Sequence, residues 1–402
     1  MAFMLAAVTA TVLICSADGI RLVKTIIIPH DATDASGLTE TIPGGVPHNR
    51  VGGIGSGIDR VGGDEYILLP DRGPIDGGSP YRIRYQVYSI PMGVGTEPSL
   101  VKTVMLGDSS GRGFTGDASS LNTSDPFSSP RYDPEGIRVL ASGNVVIAEE
   151  YGPRIDEFDS TGRLVRRFEI PAAFLPENFG PSAEDEMPPS SNRGRQVNRG
   201  FEGLALTPSG RLAAILQGPL IQDGALGERN SRIGVNVRVL VIDPAGGESR
   251  QLVYTLASAR HGVSEILAVD ETRFLVIERD GRKGSEARFK RVVLADFSGA
   301  TDVSGIESLP TSGLPPGVEA AVTTDFIDLL DPAFGLTGSG FPEKVEGLCF
   351  GPDLPDGSRS LLVATDNDFK DEPTFLWVFS IPRDHAVFSG RAGAEVGTNS
   401  RE

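Results

Sequence analysis

The sequence predicts an all-β fold, a β-propeller of five or six four-stranded blades. Glycine and proline are abundant, with 50 and 29 residues, whereas tryptophan, methionine and cysteine are scarce. This composition is typical of many short strands joined by turns. A two-strand phrase also returns five times along the 402 residues, and two further strand-like runs follow most copies. Four short antiparallel strands per repeat, arranged around an axis, describe a propeller.

Each copy of the phrase begins with an acid or serine, passes a polar turn and continues as an apolar run that ends in a polar residue. The copies are SGIDRVGGDEYILLPD (56–71), EGIRVLASGNVVIAE (135–149), EGLALTPSGRLAAILQ (202–217), SEILAVDETRFLVIE (264–278) and EGLCFGPDLPDGSRSLLVATD (346–366). We align the copies on Ser56, Glu135, Glu202, Glu265 and Glu346. The phrase predicts the first two strands of every blade.

The runs that follow each phrase predict the outer strands. They are RYQVYSI and LVKTVML after the first copy, RIDEF and LVRRFEI after the second, and VRVLVID and RQLVYTL after the third. The fourth copy is followed by KRVVLADF and a weaker DVSGIESL (302–309). Only TFLWVFSI follows the fifth copy, so we expect RLVKTIII (21–28) to complete the last blade and cover its open edge. Insertions at 107–131, 171–199 and 300–343 leave room for a sixth blade, and the acidic stretch 181–196 could form a lid.

The two ends of the chain are predicted to lie outside the propeller. Residues 1–19 form an apolar stretch of signal-peptide length that closes on small residues. We therefore predict a signal peptide at 1–19, a propeller domain at 20–390 and a disordered tail at 391–402. The protein is expected to be secreted or periplasmic and monomeric, with no integral membrane segment in the mature chain. Cys349 would then be its single cysteine, which excludes an internal disulfide.

Charge limits the class of partner. The formal net charge is −17, and no basic stretch is long enough to offset it locally. Phosphate backbones would be repelled, so nucleic-acid binding is excluded.

The repeated acids are expected to meet at one mouth of the central channel, because equivalent positions in the blades lie at the same height. Carboxylates held that close raise one another's pKa unless a cation or basic neighbours offset their charge. A hard divalent cation, Ca²⁺, is the predicted cofactor, since it prefers oxygen ligands. The predicted ligands are Glu135, Glu149, Glu202, Glu265, Glu346, Asp71 and Asp366.

Basic residues alternate with these acids. Arg72, Arg154, Arg199, Arg279 and Lys344 are predicted to bind a small anionic ester substrate, because arginine suits bidentate contact with phosphate or carboxylate. Glu278 and Glu150 are candidate general bases, and His261 is a third candidate catalytic residue. The alternative is that each polar residue only satisfies backbone groups at a strand end.

The ordered motifs DPEGI, EEYGPRI, NRGFEGLA, SEILAV, ERD, KVEGL and ATDND run from about Val51 to Pro382. In this order they resemble the phytase-like family, described as "esterase-like activity of phytase", and more distantly the alkaline β-propeller phytases. The resemblance implies an exported propeller associated with ester or phosphoester hydrolysis. In the alkaline phytases, calcium ions and basic side chains hold a phosphorylated inositol while a metal-activated water attacks phosphorus.

Three functions remain open on this basis. The first is a Ca²⁺-dependent hydrolase of phosphate esters. The second uses the same site on a carboxylic ester or lactone. The third is a non-catalytic propeller that binds a ligand or partner, since a fold alone does not fix a function.

Overall fold

A computed structural model describes residues 18–93 and 95–389. Within these residues the chain forms 22 β-strands and seven short 3₁₀ helices, with no α-helix. The predicted tail and nearly all of the predicted signal peptide, including Cys15, lie outside the described residues. No helix in the described part has the length and apolar character needed to cross a bilayer.

The strands form five sheets of four strands, and a two-stranded hairpin precedes the first full blade. The chain begins with β1 (Arg21–Ile28), followed by the hairpin of β2 (Thr41–Ile42) and β3 (Val46–Pro47). Blade 1 contains β4 (Gly57–Gly62), β5 (Glu65–Leu69), β6 (Arg84–Ser89) and β7 (Ser99–Met105). Blade 2 contains β8 (Pro134–Val139), β9 (Val145–Glu149), β10 (Arg154–Phe158) and β11 (Leu164–Arg167). Blade 3 contains β12 (Phe201–Leu206), β13 (Leu212–Leu216), β14 (Asn236–Ile242) and β15 (Arg250–Thr255).

The last two blades complete the ring. Blade 4 contains β16 (His261–Ala268), β17 (Arg273–Asp280), β18 (Lys290–Asp296) and β19 (Val322–Asp328). Blade 5 contains β20 (Lys344–Phe350), β21 (Arg359–Asp366) and β22 (Thr374–Ile381), and β1 pairs antiparallel with β22 as its fourth strand. The first strands of the blades contact one another in cyclic order, β4 to β8, β12, β16, β20 and back to β4. The five-bladed propeller is confirmed, and the insertions form no sixth blade among the described residues.

The core lies between neighbouring blades. The second strands are buried along nearly their whole length, as in LAAIL of β13 and VVIAE of β9. Their apolar side chains pack with those of the adjacent blade, so that one cluster joins blades 1 and 2 and another joins blades 4 and 5. Burial on both faces explains why these runs read as continuously apolar.

The outer strand of blade 4 differs from the prediction. It is β19, whereas the predicted run 302–309 belongs to an insertion that packs against β15 of blade 3. The backbone N–H of Val303 donates to Gln251 O and that of Ala321 to Val253 O, both at 2.8 Å. Val303 and Leu309 bury their side chains against Val253, so the apolar pattern that suggested a strand serves this contact instead.

At two of the blade interfaces the inner strands approach so closely that the residue after the acid that opens the phrase has to be glycine. A Cβ atom at Gly203 would lie 2.6 Å from Ile266 N and 2.7 Å from Glu265 Cα on the next blade. Gly136 stands in the same relation to Leu204, whose N would lie 2.6 Å away. Both neighbours are backbone atoms, so the blades would have to move apart to admit a methyl group.

Replacing Gly203 with alanine should therefore destabilise the propeller. We expect the free energy of unfolding to fall by about 2 kcal/mol, the usual cost of overpacking a close contact. Urea denaturation of Gly203→Ala measures this, with Gly299→Ala as the control because no atom lies within 4 Å of a Cβ at Gly299. Equal stability of the two variants would contradict the close approach.

Candidate functional site

The acid that opens the phrase lies on a β-bulge in the inner strand. The pairing register shifts between Pro134 and Gly136, between Phe201 and Gly203, and between Val345 and Gly347. The extra residues at these shifts are Glu135, Glu202 and Glu346. A bulge turns a side chain out of the regular alternation of the sheet. The three glutamates thereby line one cavity at the end of the channel where the inner strands begin.

The fourth copy of the phrase requires a correction by one residue. Its register shift falls between Val263 and Glu265, so the bulged residue is Ser264. Ser264 lines the cavity with the three glutamates, whereas Glu265 does not. Glu265 takes the position that glycine holds in the other copies, and the alignment on Glu265 was wrong.

The cavity has a volume of about 270 Å³ and is lined by both signs of charge. Its acidic residues are Glu135, Glu150, Glu202, Glu343 and Glu346. Its basic residues are Arg72, Arg199, Arg232, Arg260, Arg279 and Lys344. All five blades therefore contribute charged side chains to one space.

The central carboxylates are poorly compensated. Burial raises the pKa of Glu135, and the charges of Asp133, Glu202 and Glu150 raise it further. Burial likewise raises the pKa of Glu202, together with the charges of Glu150 and Glu346. Glu202 Oε2 and Glu346 Oε2 are buried without a hydrogen-bond partner among the described residues. Such orphaned oxygens in a buried acidic group favour a bound cation.

The residues present fit a hard divalent cation. One oxygen each of Asp133, Glu135 and Glu150 lies within 4.8 Å of the others. Carboxylate oxygens are the ligands that Ca²⁺ and Mg²⁺ prefer. Asp133, Glu135 and Glu150 are therefore side chains that could hold a metal at the wall of this cavity. Glu202 lies close enough for its charge to raise the pKa of Glu135, so it could join them.

Several arginines in the same cavity lack a carboxylate partner. Arg199 is buried, its Nε has no partner among the described residues, and its Nη1 reaches only His261 O at 3.4 Å. Burial and the charge of Arg232 lower the pKa of Arg199 to about 10. Arg232 and Arg260 form no ion pair with any described residue. Arg279 differs, because its Nη2 donates to Glu346 Oε1 at 2.6 Å.

A second acidic group lies beside the cavity and already contains a cation. Lys344 Nζ lies 2.9 Å from Asp366 Oδ2 and 3.6 Å from Asp71 Oδ2, and it also contacts Asp368. Burial opposes the charge of Lys344, but these carboxylates outweigh it and raise the pKa of the lysine. Asp71 and Asp366 therefore surround the Lys344 ammonium instead of joining Glu135 and Glu202.

A family model described as "Phytase-like: Esterase-like activity of phytase" matches residues 49–369. The chain belongs to the phytase-like family. A curated relative from Arthroderma benhamiae, named "Uncharacterized secreted protein", is 28% identical over 208 residues. That match covers 44% of this chain and 40% of the relative, so it spans less than half of the relative's length.

Solved propellers resemble the phytase-like chain only remotely. A gluconolactonase from Xanthomonas campestris is 13% identical with a TM-score of 0.34, and the match covers 80% of each chain. A virginiamycin B lyase from Staphylococcus aureus is 10% identical with a TM-score of 0.36, covering 89% of this chain and 99% of the lyase. At these values the likeness says nothing of activity.

Two predicted site residues of the phytase-like chain, Glu149 and Arg154, face away from the cavity and bind each other. Arg154 Nε donates to Glu149 Oε2 at 3.0 Å, and the backbone N–H groups of Asp133, Tyr151 and Gly152 also donate to this carboxylate. Burial opposes the charge of Glu149, but Arg154 and these donors lower its pKa overall. The pair closes the β9–β10 turn, so neither group is placed to bind a metal or substrate in the cavity.

Glu265 is likewise held by neighbours inside the channel. Its Oε2 lies 3.1 Å from Arg138 Nη2, and its Oε1 accepts from the backbone N–H groups of Leu204 and Ile266. Burial raises the pKa of Glu265 to about 7, although Arg138 opposes the rise. These contacts join blades 2, 3 and 4 below the cavity.

The candidate base Glu278 is bonded to three groups outside the cavity. Its carboxylate lies 2.7 Å from His261 Nδ1 and accepts from Tyr254 Oη at 2.8 Å and from Ala257 N at 2.9 Å. The His261 ring stacks on Phe289 with centroids 4.2 Å apart. Of the three catalytic candidates, the structure places Glu150 alone in the cavity wall.

Sequence reasoning missed several residues of the site. Gln217 stands where the other phrases end in an acid, so it had a signal in the repeat. Asp133, two residues before Glu135, had none, because the other copies carry no acid at that place. Asn198, Arg232 and Arg260 lie in connections outside the repeated phrase, where no alignment between copies exists. Asn198 has a φ of 54°, an uncommon conformation for a non-glycine residue that often marks a functional loop.

Proposed function

We propose that this phytase-like protein is a Ca²⁺-dependent hydrolase of phosphate esters that acts in the central cavity. One observation carries the proposal. The cavity combines carboxylates that have orphaned oxygens with arginines that have no carboxylate partner. The first group suits a metal and the second suits an anion, and a phosphate ester bound beside a cation would satisfy both.

The chain's own residues supply binding, orientation and proton transfer. Asp133, Glu135 and Glu202 would hold the metal, which when bound offsets negative charge on phosphoryl oxygens and makes water more acidic. Arg199, Arg232 and Arg260 would orient the phosphoryl oxygens by charge-assisted hydrogen bonds.

Glu150 is the best-placed proton acceptor. Its Oε1 accepts from Gly200 N at 3.2 Å and its Oε2 lies 3.3 Å from Arg72 Nη1, which fixes the carboxylate in the cavity wall. The oxygen of water bonds to phosphorus, the phosphorus–oxygen bond to the alcohol breaks, and the proton of the water passes to Glu150. The departing alcohol oxygen then takes a proton from solvent.

A carboxylic ester or lactone is the second candidate substrate, favoured by the esterase-like activity in the family's description. A neutral ester would leave the buried charge of Arg199 without a partner, which is costly. Charge balance therefore ranks the phosphate ester first. A non-catalytic binding role is the third candidate and is separated from the others by assay.

A panel of 4-nitrophenyl phosphate, 4-nitrophenyl acetate and a lactone tests the proposal. We expect 4-nitrophenyl phosphate to be hydrolysed, EDTA to lower the rate about a hundredfold or more, and added Ca²⁺ to restore it, because a metal contributes several kcal/mol to such a reaction. A boiled sample and a sample kept free of EDTA serve as controls. Turnover of the acetate or lactone alone would select the second candidate. A thermal shift with Ca²⁺ but no turnover would select the third.

We also propose that the protein is exported and monomeric. The leader-like start of the sequence and the secreted relative support export. Both proposals are tested on protein recovered from outside the cytoplasm. The mass of its chain shows whether the leader has been cleaved. Its mass in solution shows whether it is a monomer.

A further inference from the structure

A second cavity of about 250 Å³ adjoins the central one. Arg72 and Asn198 line both cavities, and Tyr151 of the side cavity directly follows Glu150 of the central one. The two cavities therefore meet at Arg72 and Asn198.

The walls of the side cavity are largely apolar. The insertion 171–199 contributes Pro181, Ala183 and Val197, and Ala118 lies on the other side. The ring of Tyr151 forms part of the same wall, with the Arg131 guanidinium 4.7 Å from its centroid. Aromatic and aliphatic surfaces of this kind favour an apolar ligand group.

The charges in the side cavity are already paired, in contrast to those in the central cavity. Arg131 Nη2 lies 3.1 Å from Glu186 Oε1, and Arg195 binds the other oxygen of Glu186. Arg72 binds Asp133 and Asp76. A second phosphate here would compete with buried carboxylates, whereas an uncharged group would not. Arg195 keeps Nε and Nη1 without a partner in the described part of the chain, and these donors suit a neutral oxygen.

The insertion that forms one wall is fastened to blade 2. Arg195 Nη2 donates to Tyr151 O at 2.7 Å, and Arg131 Nη1 donates to Gly180 O at 3.2 Å. Within the insertion, Gly180 N donates to Glu186 at 3.1 Å. Glu186 is buried despite its place in an acidic stretch. The stretch 181–196, which could form a lid by its sequence, is therefore an anchored wall of the side cavity.

We propose that the side cavity binds the alcohol part of the ester and that this alcohol is aromatic or otherwise apolar. The inference rests on the proposed function, because it places the phosphate in the central cavity. The phosphorus–oxygen bond that breaks would lie beside Arg72, between the two cavities. The favoured substrates are then phosphate esters of apolar alcohols, in preference to polyphosphorylated ones.

Filling the side cavity tests this assignment. Ala183→Trp places a large side chain in the cavity wall, and Ala172→Trp, on an exposed part of the same insertion outside the cavity, is the matched control. We expect the ratio of kcat/KM for 1-naphthyl phosphate to that for methyl phosphate to fall about tenfold in Ala183→Trp and to stay unchanged in Ala172→Trp. Inositol hexakisphosphate should be a poorer substrate than 1-naphthyl phosphate for the wild type.

Binding measurements separate this inference from the proposed function. If Ca²⁺-dependent turnover occurs but Ala183→Trp leaves the ratio unchanged, the subsite is wrong and the proposed function stands. If no ester is hydrolysed, the subsite is tested by calorimetric binding of 1-naphthyl phosphate to the folded wild type and the two variants. A tenfold weaker affinity in Ala183→Trp alone supports the subsite, and equal affinity in all three proteins overturns it.

Discussion

Replacing Glu135 and Glu202 together with glutamine is expected to lower kcat/KM for phosphate ester hydrolysis about a thousandfold or more, because two of the proposed metal ligands lose their charge. Neither glutamate has an ion-pair partner among the described residues. The hydrogen bond that Glu202 accepts from Gln217 Nε2 can also be accepted by the amide oxygen of glutamine. We therefore expect the loss to come from the reaction. Initial rates at saturating Ca²⁺ measure it.

The same double variant should be at least as stable as wild type when no metal is present. Burial and the neighbouring carboxylates raise the pKa of both residues, which means that their charged forms repel each other in the fold. Glutamine removes that repulsion while keeping the size of the side chain. We expect an equal or higher Tm in EDTA, together with loss of the rise in Tm that Ca²⁺ gives the wild type.

An exposed pair provides the control. Glu248→Gln with Glu307→Gln removes the same number of charges from exposed positions. It should retain both turnover and the Ca²⁺-induced rise in Tm. If Glu135→Gln with Glu202→Gln retains them too, the metal site is not in the central cavity.

The fold could be predicted because the same phrase, a first strand, a polar turn and an apolar second strand, occurs once in every blade. A glycine follows the opening residue of the phrase in four copies, at Gly57, Gly136, Gly203 and Gly347, since the inner strands leave no room for a side chain there. Aligning on the isoleucine or leucine that comes next in every copy (Ile58, Ile137, Leu204, Ile266 and Leu348) would have placed Ser264 correctly. The acid was a poorer guide because an acid is tolerated at either position, as Glu265 shows.

The acids of the phrase divide into two groups that look alike in sequence. Those at the start of the first strand lie on bulges and line the cavity. Those at the end of the second strand accept backbone N–H groups of nearby turns, as Glu149 does from Gly152, Glu278 from Ala257 and Asp366 from Asp368. The bulge that separates the groups depends on pairing between strands, which a single sequence does not display. These contacts support the structural alternative for the second group.

Replacing Glu149 with glutamine should destabilise the fold by about 3–5 kcal/mol, the usual cost of breaking a buried ion pair from one side. The amide nitrogen of glutamine cannot accept the hydrogen bonds that Glu149 receives from Arg154 and the turn backbone. Arg154, which is buried against Tyr132, would keep its charge without a partner. Denaturant unfolding at neutral pH measures the loss.

The pH dependence of that loss identifies the charge as its cause. The pKa of Glu149 in the fold lies below its ordinary value of 4.5, so its carboxylate contributes stability fully above that value and loses it as the pH falls through the folded pKa. The difference in stability between wild type and Glu149→Gln should be largest near neutrality and shrink below about pH 4.5. Glu157→Gln, on the neighbouring strand, is the control, because Glu157 accepts a hydrogen bond from Asn144 and forms no ion pair with any described residue. It should cost less than about 1.5 kcal/mol at neutral pH. If Glu149→Gln has normal stability but no longer responds to Ca²⁺, Glu149 is a metal ligand after all. The two groups of acids can therefore be distinguished by whether their replacement affects folding or metal binding.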